Sequence, residues 1–204
     1  MRMDSTEKWV RRAGALTGIA FLGLAYAGLW RGSHRPKGRM AGPAPVFLQG
    51  RFSSYLLGGA AILGLRYLLR KPLPLRLPAP LRAGVLVLGC LLYFPGLALM
   101  FWGRLSLGSM YGVSTSLGVQ LYAGHRLVTT GPYAHVRNPM YLGAQLAALG
   151  SLLIYRNWAS LLAAVVSPGL ALRARREEEA LEAEFGDQWM EYHRRVPAWL
   201  PRLK

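Results

Sequence analysis

Two short stretches hold most of the side chains able to do chemistry. In the first, residues 131–143, Gly131, Pro132 and Tyr133 precede His135, Arg137, Asn138, Pro139, Met140 and Tyr141. Turn-forming residues, a cation and two phenol rings stand directly before an apolar run, which suits a ligand site at a membrane surface. Pro139 restricts Asn138 to extended backbone, so Asn138 is expected to N-cap a helix whose first position is Pro139. A helix started in this way presents backbone N–H groups that can hold a carboxylate. Tyr133 and Tyr141 can pack on a cationic or aromatic ligand. Taken singly, each tyrosine also suits an interfacial belt, and Arg137 a lipid phosphate.

The second stretch, residues 173–186, places Arg173 four residues before Glu177, one turn apart on one helix face. Arg175 and Glu179 repeat that spacing, so a solvated ion-pair face accounts for either pair alone. Gly186 is expected to close this helix and Asp187 to cap the next, a short amphipathic segment over residues 188–195. Its Trp189 and Tyr192, with Trp199 beyond, suit a lid facing the interface. His125, His135 and His193 show no paired helical spacing and have no acidic neighbour in sequence, so no metal site is expected. Cys90 is the sole cysteine, which excludes an intramolecular disulfide and a thiolate metal site. No P-loop, dinucleotide-binding fingerprint or nucleophile elbow is present.

The elements that must position these residues are written in the composition. Hydrophobic residues make up 52% of the 204-residue chain and charged residues 17%, against about 25% charged in ordinary soluble domains. A membrane protein follows. The net charge of +16 sits mainly between apolar runs, where lipid phosphates rather than nucleic acid are the nearer partner. Apolar runs at 13–30, 53–69, 83–102, 140–154 and 158–172 predict an all-α bundle of about five transmembrane helices. The first has a basic lead, as a signal peptide would, but reads as a retained transmembrane helix. Pro95-Gly96 predicts a kink in the third. On the fourth, Gly143, Ala144, Ala147, Ala148 and Gly150 permit a neighbouring backbone to come close. With the C-terminus cytoplasmic, the inside segments carry fifteen Lys and Arg against nine outside, the favoured orientation. No composition shift argues for a second domain, so residues 1–204 read as one unit, 1–119 carrying three helices and 120–204 the chemistry.

With both stretches in view, the chain resembles the isoprenylcysteine carboxyl methyltransferase family and related membrane phospholipid methyltransferases. The likeness runs over residues 120–201. It rests on His125-Arg-Leu-Val128, Gly131-Pro-Tyr133, Arg137-Asn-Pro-Met-Tyr141 with Gly143, Arg173 before Glu177, Leu181, Phe185-Gly186, Tyr192, Arg195-Val-Pro197 and Leu200-Pro201. The resemblance implies S-adenosylmethionine bound on the cytoplasmic side, between the loop before the fourth helix and the C-terminal segment. Its implied contacts are Gln120, His125, Arg126, Leu127, Val128, Tyr133, Asn138, Pro139, Met140, Tyr141 and Glu177, with Arg173 positioning the acceptor. The acceptor would be a lipophilic small molecule or lipidated substrate entering laterally from the bilayer, with membrane lipids as further partners and no nucleic acid or metal. Asn138 departs from the histidine of the eukaryotic members and cannot act as a base, which favours a carboxylate or other deprotonated acceptor. Two alternatives stand beside this reading: an NADPH-dependent sterol or polyprenoid reductase, and a non-catalytic lipid-binding membrane protein.

Overall fold

The fold is organised around a seam of small residues. The computed structural model describes residues 5–33, 37–41, 52–111, 119–122 and 126–201. Its longest apolar helix, α3 (Ala79–Leu107), lies antiparallel to α4 (Pro139–Tyr155), and these two pack more extensively than any other described pair. A Cβ added at Gly96 would meet the Gly143 carbonyl and the Ala147 nitrogen at 2.7 Å, so the two backbones touch there. Gly89, about two turns nearer the N-terminus of α3, faces Ile154 and the Gly150 carbonyl in the same manner. The close approach expected of the fourth helix is thus realised against α3, around buried Tyr93, Leu97, Ala147 and Ile154.

Helix α1 (Ser5–Ser33) runs alongside α3 in the same direction. The Tyr93 hydroxyl donates to the Gly14 carbonyl at 2.8 Å, and Phe21 meets Phe101 edge-on at 5.2 Å. Helix α2 (Phe52–Leu68) leaves Leu57, Ile62, Leu63 and Tyr67 largely exposed. After α4, a tight turn leads to α5 (Trp158–Val166), begun by a capping box in which Asn157 Oδ1 accepts from the Ser160 amide at 2.8 Å. Helices α6 (Leu170–Phe185) and α7 (Asp187–Arg195) follow, joined at Gly186 with φ of 48°.

The structure departs from the sequence expectations in several places. The all-α class holds, with one short ribbon added that was not expected: β1 (Lys37–Ala41) pairs antiparallel with β2 (Val119–Tyr122), Met40 opposite Gln120. The apolar run 158–172 is not one helix but is broken by a 3₁₀ turn at Ser167–Gly169, where Pro168 interrupts the hydrogen-bond ladder. Among the described residues only α3 is long and apolar enough to cross a membrane alone; the 17 residues of α4 rise about 25 Å. Helix length therefore does not by itself carry a count of five spans. Asp187 occupies the first turn of α7 rather than its cap, which is Gly186. Asn138 stands at the N-cap position of α4, yet its side chain makes no capping bond.

Candidate active site

Asn138 leaves the α4 amides uncapped because a stronger acceptor lies on the other side. Its buried side chain is turned toward α6, where Nδ2 donates to Glu178 Oε1 at 2.6 Å and to the Ala198 carbonyl at 3.3 Å. A bond to a carboxylate is charge-assisted and about twice as strong as a neutral one. Arg137 joins the same carboxylate through a two-pronged fork, Nε to Oε1 at 3.1 Å and Nη2 to Oε2 at 3.0 Å. Its Nη1 also donates to the Val196 and His193 carbonyls. Arg137 is thus a clasp closing the α4 entry onto α6 and the end of α7, not a surface arginine left for lipid phosphate. Backbone bonds from Arg137 to the Pro197 carbonyl and Asn138 to the Ala198 carbonyl complete the closure.

One residue earlier on α6, the chemistry opens. Glu177 Oε1 accepts from the Tyr141 hydroxyl at 2.5 Å, and Arg173 Nε donates to the same hydroxyl at 2.9 Å while lying 3.5 Å from Glu177. Both Arg173 and Glu177 keep about a quarter to a third of their side-chain surface, 32% and 26%. They are held but reachable. Burial works against the Arg173 guanidinium, yet Tyr141 and Glu177 outweigh it and its pKa is raised, so it stays cationic.

Tyr133 forms the floor. Gly131 takes φ of 64°, a conformation glycine adopts without strain, and turns Pro132 and Tyr133 inward against the end of α3. The Tyr133 hydroxyl lies beside Gly103, which also meets Met140, and the Tyr133 carbonyl accepts from Tyr192 at 2.8 Å. Trp189, Tyr192 and Val196 bury themselves with Leu127, Leu181 and Phe185 behind it. Burial above all, then the Glu177 charge, raises the pKa of Tyr133, and burial raises that of Tyr192. Both phenols are therefore donors at neutral pH and not bases.

Of the residues expected at the site, the structure brings together Tyr133, Met140, Tyr141, Arg173 and Glu177, with Asn138 and Pro139 in the adjoining clasp and Leu127 in the supporting cluster. Val128 is half-buried in the connecting segment. Arg126 is exposed, its amide on the Met110 sulfur at 3.3 Å. Gln120 lies on β2, which packs near α6. His125 lies outside the described residues. Two residues at the site are not among those expected from sequence. Glu178 is one, hidden beside an equally acidic neighbour. The other is Arg104, at the end of α3; its side chain lies against Gly28 of α1, donates through Nη1 to the Gly108 carbonyl at 3.3 Å and is within electrostatic reach of Tyr133. It is 5% exposed, rests its guanidinium 4.0 Å over the Tyr111 ring, and has an Nε without a hydrogen-bond partner among the described residues. The sequence does hold a signal for it: residues 83–103 carry no charge, and an ionisable group ending such a run marks a functional position.

Most of the residues that build this site fall within a region matched by a family model. The sequence model of the phospholipid methyltransferase family matches residues 85–188, just over half of the chain. The chain belongs to the phospholipid methyltransferase family. Within curated proteins it is similar to the protein-S-isoprenylcysteine O-methyltransferase of Schizosaccharomyces pombe, 38% identical over 81 residues, covering 39% of this chain and 34% of the relative. The Homo sapiens enzyme of that name is 34% identical over 82 residues, 39% of this chain and 29% of the relative. The Arabidopsis thaliana enzyme B is 38% identical over 79 residues, 38% and 40%. The chain thus spans well under half the length of these curated relatives. A solved eukaryotic intramembrane Ras methyltransferase aligns over 76% of this chain and 55% of its own, at 21% identity and a TM-score of 0.48. The family match covers most of α3, all of α4, α5 and α6, and the start of α7. It therefore includes Arg104, Tyr133, Tyr141, Arg173 and both Glu177 and Glu178.

Proposed function

We propose that this chain is an integral membrane methyltransferase that transfers a methyl group from S-adenosylmethionine to a lipophilic acceptor carrying a carboxylate or another deprotonated nucleophile. The observation that carries the reading is the junction of Tyr141, Arg173 and Glu177, brought together from α4 and α6 inside the family-matched region. S-adenosylmethionine supplies an electrophilic methyl on a sulfonium, and it also bears an ammonium and a carboxylate. Such a ligand asks for an acid, a base and aromatic faces. Half-open Glu177, the buried and incompletely bonded Arg104, and the rings of Tyr133 and Tyr141 make up that set, so the residues present fit the cofactor. Asn138 stays in the clasp, supporting the site from behind. The resemblance alone carries Gln120, His125, Arg126, Leu127 and Val128 as further cofactor contacts.

In this reading Glu177 holds the cationic ligand, and Arg173 draws an anionic acceptor oxygen toward it. Tyr141 hydrogen-bonds both side chains and so fixes the distance between them. Protonated Tyr133 and Tyr192 take no proton from the acceptor. None is needed, because a carboxylate is already ionised and requires only positioning and loss of water. The relatives are named for O-methylation of protein S-isoprenylcysteine, and that carboxylate is the acceptor chemistry carried over to this chain.

The membrane setting is supported by where aromatics and aliphatics are exposed. Trp9 and Trp30 of α1 are both exposed and 21 residues apart, a rise of about 31 Å against a hydrocarbon core of about 30 Å. Between them Leu16, Ile19 and Leu22 face outward, as do Val87, Leu88 and Leu91 on α3. Aliphatic side chains exposed in this density suit lipid rather than water. Five passages, by α1, α2, α3, α4 and α5 continued into α6, form one domain and leave the site and C-terminus cytoplasmic. The test is to incubate purified protein with radiolabelled S-adenosylmethionine and an S-isoprenylated cysteine or a membrane lipid extract. Saturable binding weakened by Glu177→Ala, and label entering the lipid phase, are expected. No saturable binding, or binding indifferent to Glu177→Ala, overturns the assignment.

A further inference from the structure

At the end of the bundle away from the candidate active site, one acid is surrounded by arginines. Glu7 of α1 is 2% exposed. Its Oε1 accepts from Arg11 at 2.8 Å and from Arg156 Nη2, and its Oε2 lies 3.8 Å from Arg82 Nε. Arg66 adds a fourth guanidinium, 6.0 Å over the ring of Tyr155, whose hydroxyl donates to the Arg11 carbonyl. These arginines come from α1, the end of α2, the first turn of α3 and the turn between α4 and α5. Among the described residues one carboxylate balances one of these four guanidiniums, leaving three positive charges at this end of the bundle.

Three further features bear on that charge. Helices α1, α3 and α5 begin at this end while α2 and α4 finish there, so the helix termini add on balance one partial positive charge. Arg156 takes φ of 49°, the one non-glycine residue with positive φ among those described, where glycine is the usual choice after a helix. A guanidinium is kept there in spite of backbone strain of about 1–2 kcal/mol. Finally, Arg11, Arg82 and Arg156 retain 25%, 21% and 14% of their side-chain surface, so the cluster is open to the outside even though Arg11 Nε also donates to the Ile154 carbonyl and Arg156 Nη1 to the Leu153 carbonyl. Exposed Trp9, Tyr67 and Trp158 lie at this same end, the level at which lipid headgroups sit.

We propose that Arg11, Arg66, Arg82 and Arg156 form a binding site for the phosphate of an anionic phospholipid headgroup. A phosphodiester offers paired oxygens to guanidinium forks and supplies the negative charge the cluster lacks. The apolar faces of α1, α2 and α3 beside it accept the acyl chains. The proposal rests on the membrane reading and not on methyl transfer, and it is tested without turnover.

The experiment is native mass spectrometry of the full chain in neutral detergent, offered phosphatidylglycerol, phosphatidylcholine or inorganic phosphate. Phosphatidylglycerol is expected to be retained in preference to phosphatidylcholine. Arg82→Gln should lower that retention on the order of fivefold, because Arg82 makes the loosest approach to Glu7 and its removal leaves Glu7 neutralised by Arg11 and Arg156. Arg82→Lys should restore most of it, and Arg175→Gln, an equal loss of charge on exposed α6, should leave it unchanged. A thermal melt in phosphatidylcholine micelles should be the same for Arg82→Gln and Arg175→Gln, separating lost binding from lost fold. Equal retention of the two lipids, or equal loss in both glutamine variants, overturns the proposal. Binding of inorganic phosphate without phosphatidylglycerol assigns the cluster to a soluble anion and overturns the lipid source.

Discussion

The two ends of the α3–α4 pair solve the same electrostatic problem differently. At the site end, Glu177 and Glu178 pair with Arg173 and Arg137, and the pairs divide by neighbour: Glu178 is consumed in the clasp while Glu177, held by Tyr141 and Arg173, keeps about a quarter of its side-chain surface, 26%. At the far end Glu7 is the one described acid, meets Arg11, Arg82 and Arg156, and is closed off almost completely. A balanced network holds its own geometry and can spare one group for a ligand. An unbalanced one needs an anion from outside to complete it.

Substitutions at the two ends should separate these roles. The largest effect is expected from Glu7→Gln, which removes the one counter-charge the arginines have among the described residues. Removing one partner of a buried ion network costs about 3–5 kcal/mol, read as a lower melting temperature in detergent, with the cofactor affinity of the protein that remains folded unchanged. If cofactor affinity falls in parallel, the two ends are coupled rather than separate. Next, Glu177→Ala should weaken S-adenosylmethionine binding by about a hundredfold in calorimetry while hardly moving the melt, since a charged hydrogen-bond partner contributes about 1.5–3 kcal/mol. Glu178→Gln should do the reverse, lowering stability by about 2 kcal/mol through the loss of the Arg137 fork, with a smaller change in binding. Equal effects of the two on binding would erase the distinction between clasp and site. The smallest effect is assigned to Arg173→Lys, which retains the charge but not the planar fork. Turnover should drop about tenfold with cofactor affinity intact, and a change confined to cofactor affinity would move Arg173 to the cofactor side.

Much of the site is legible in the order and spacing of its residues, and what is not legible has physical reasons. The pairing of Arg173 with Glu177 is visible because four residues make about one helical turn. Tyr141 as their common partner is not, since that depends on how α4 lies against α6. Adjacent residues on a helix point about 100° apart, so Glu177 and Glu178 face different neighbours, and a run of acids does not say which neighbour is where. Asn138 sits at the expected position with an unexpected partner, because a local capping rule cannot see a carboxylate 40 residues along the chain. The β1–β2 ribbon joins Met40 to Gln120 across a long intervening segment, and neither short strand shows a clear alternation of its own. Pro168 does signal the break in the run 158–172, but the apolar residues on either side of it make the stronger pattern.

The Arg137 clasp also sets an order on assembly. Arg137 reaches the Val196 carbonyl 59 residues further on, and Tyr192 bonds back to Tyr133 over the same distance. During synthesis α4 therefore leaves the ribosome and enters the bilayer well before its clasp partners exist. The floor of the candidate site stays open until residues 192–198 have emerged, so a nascent chain with all its apolar segments made still lacks the clasp. The candidate site closes late, as the final turn docks.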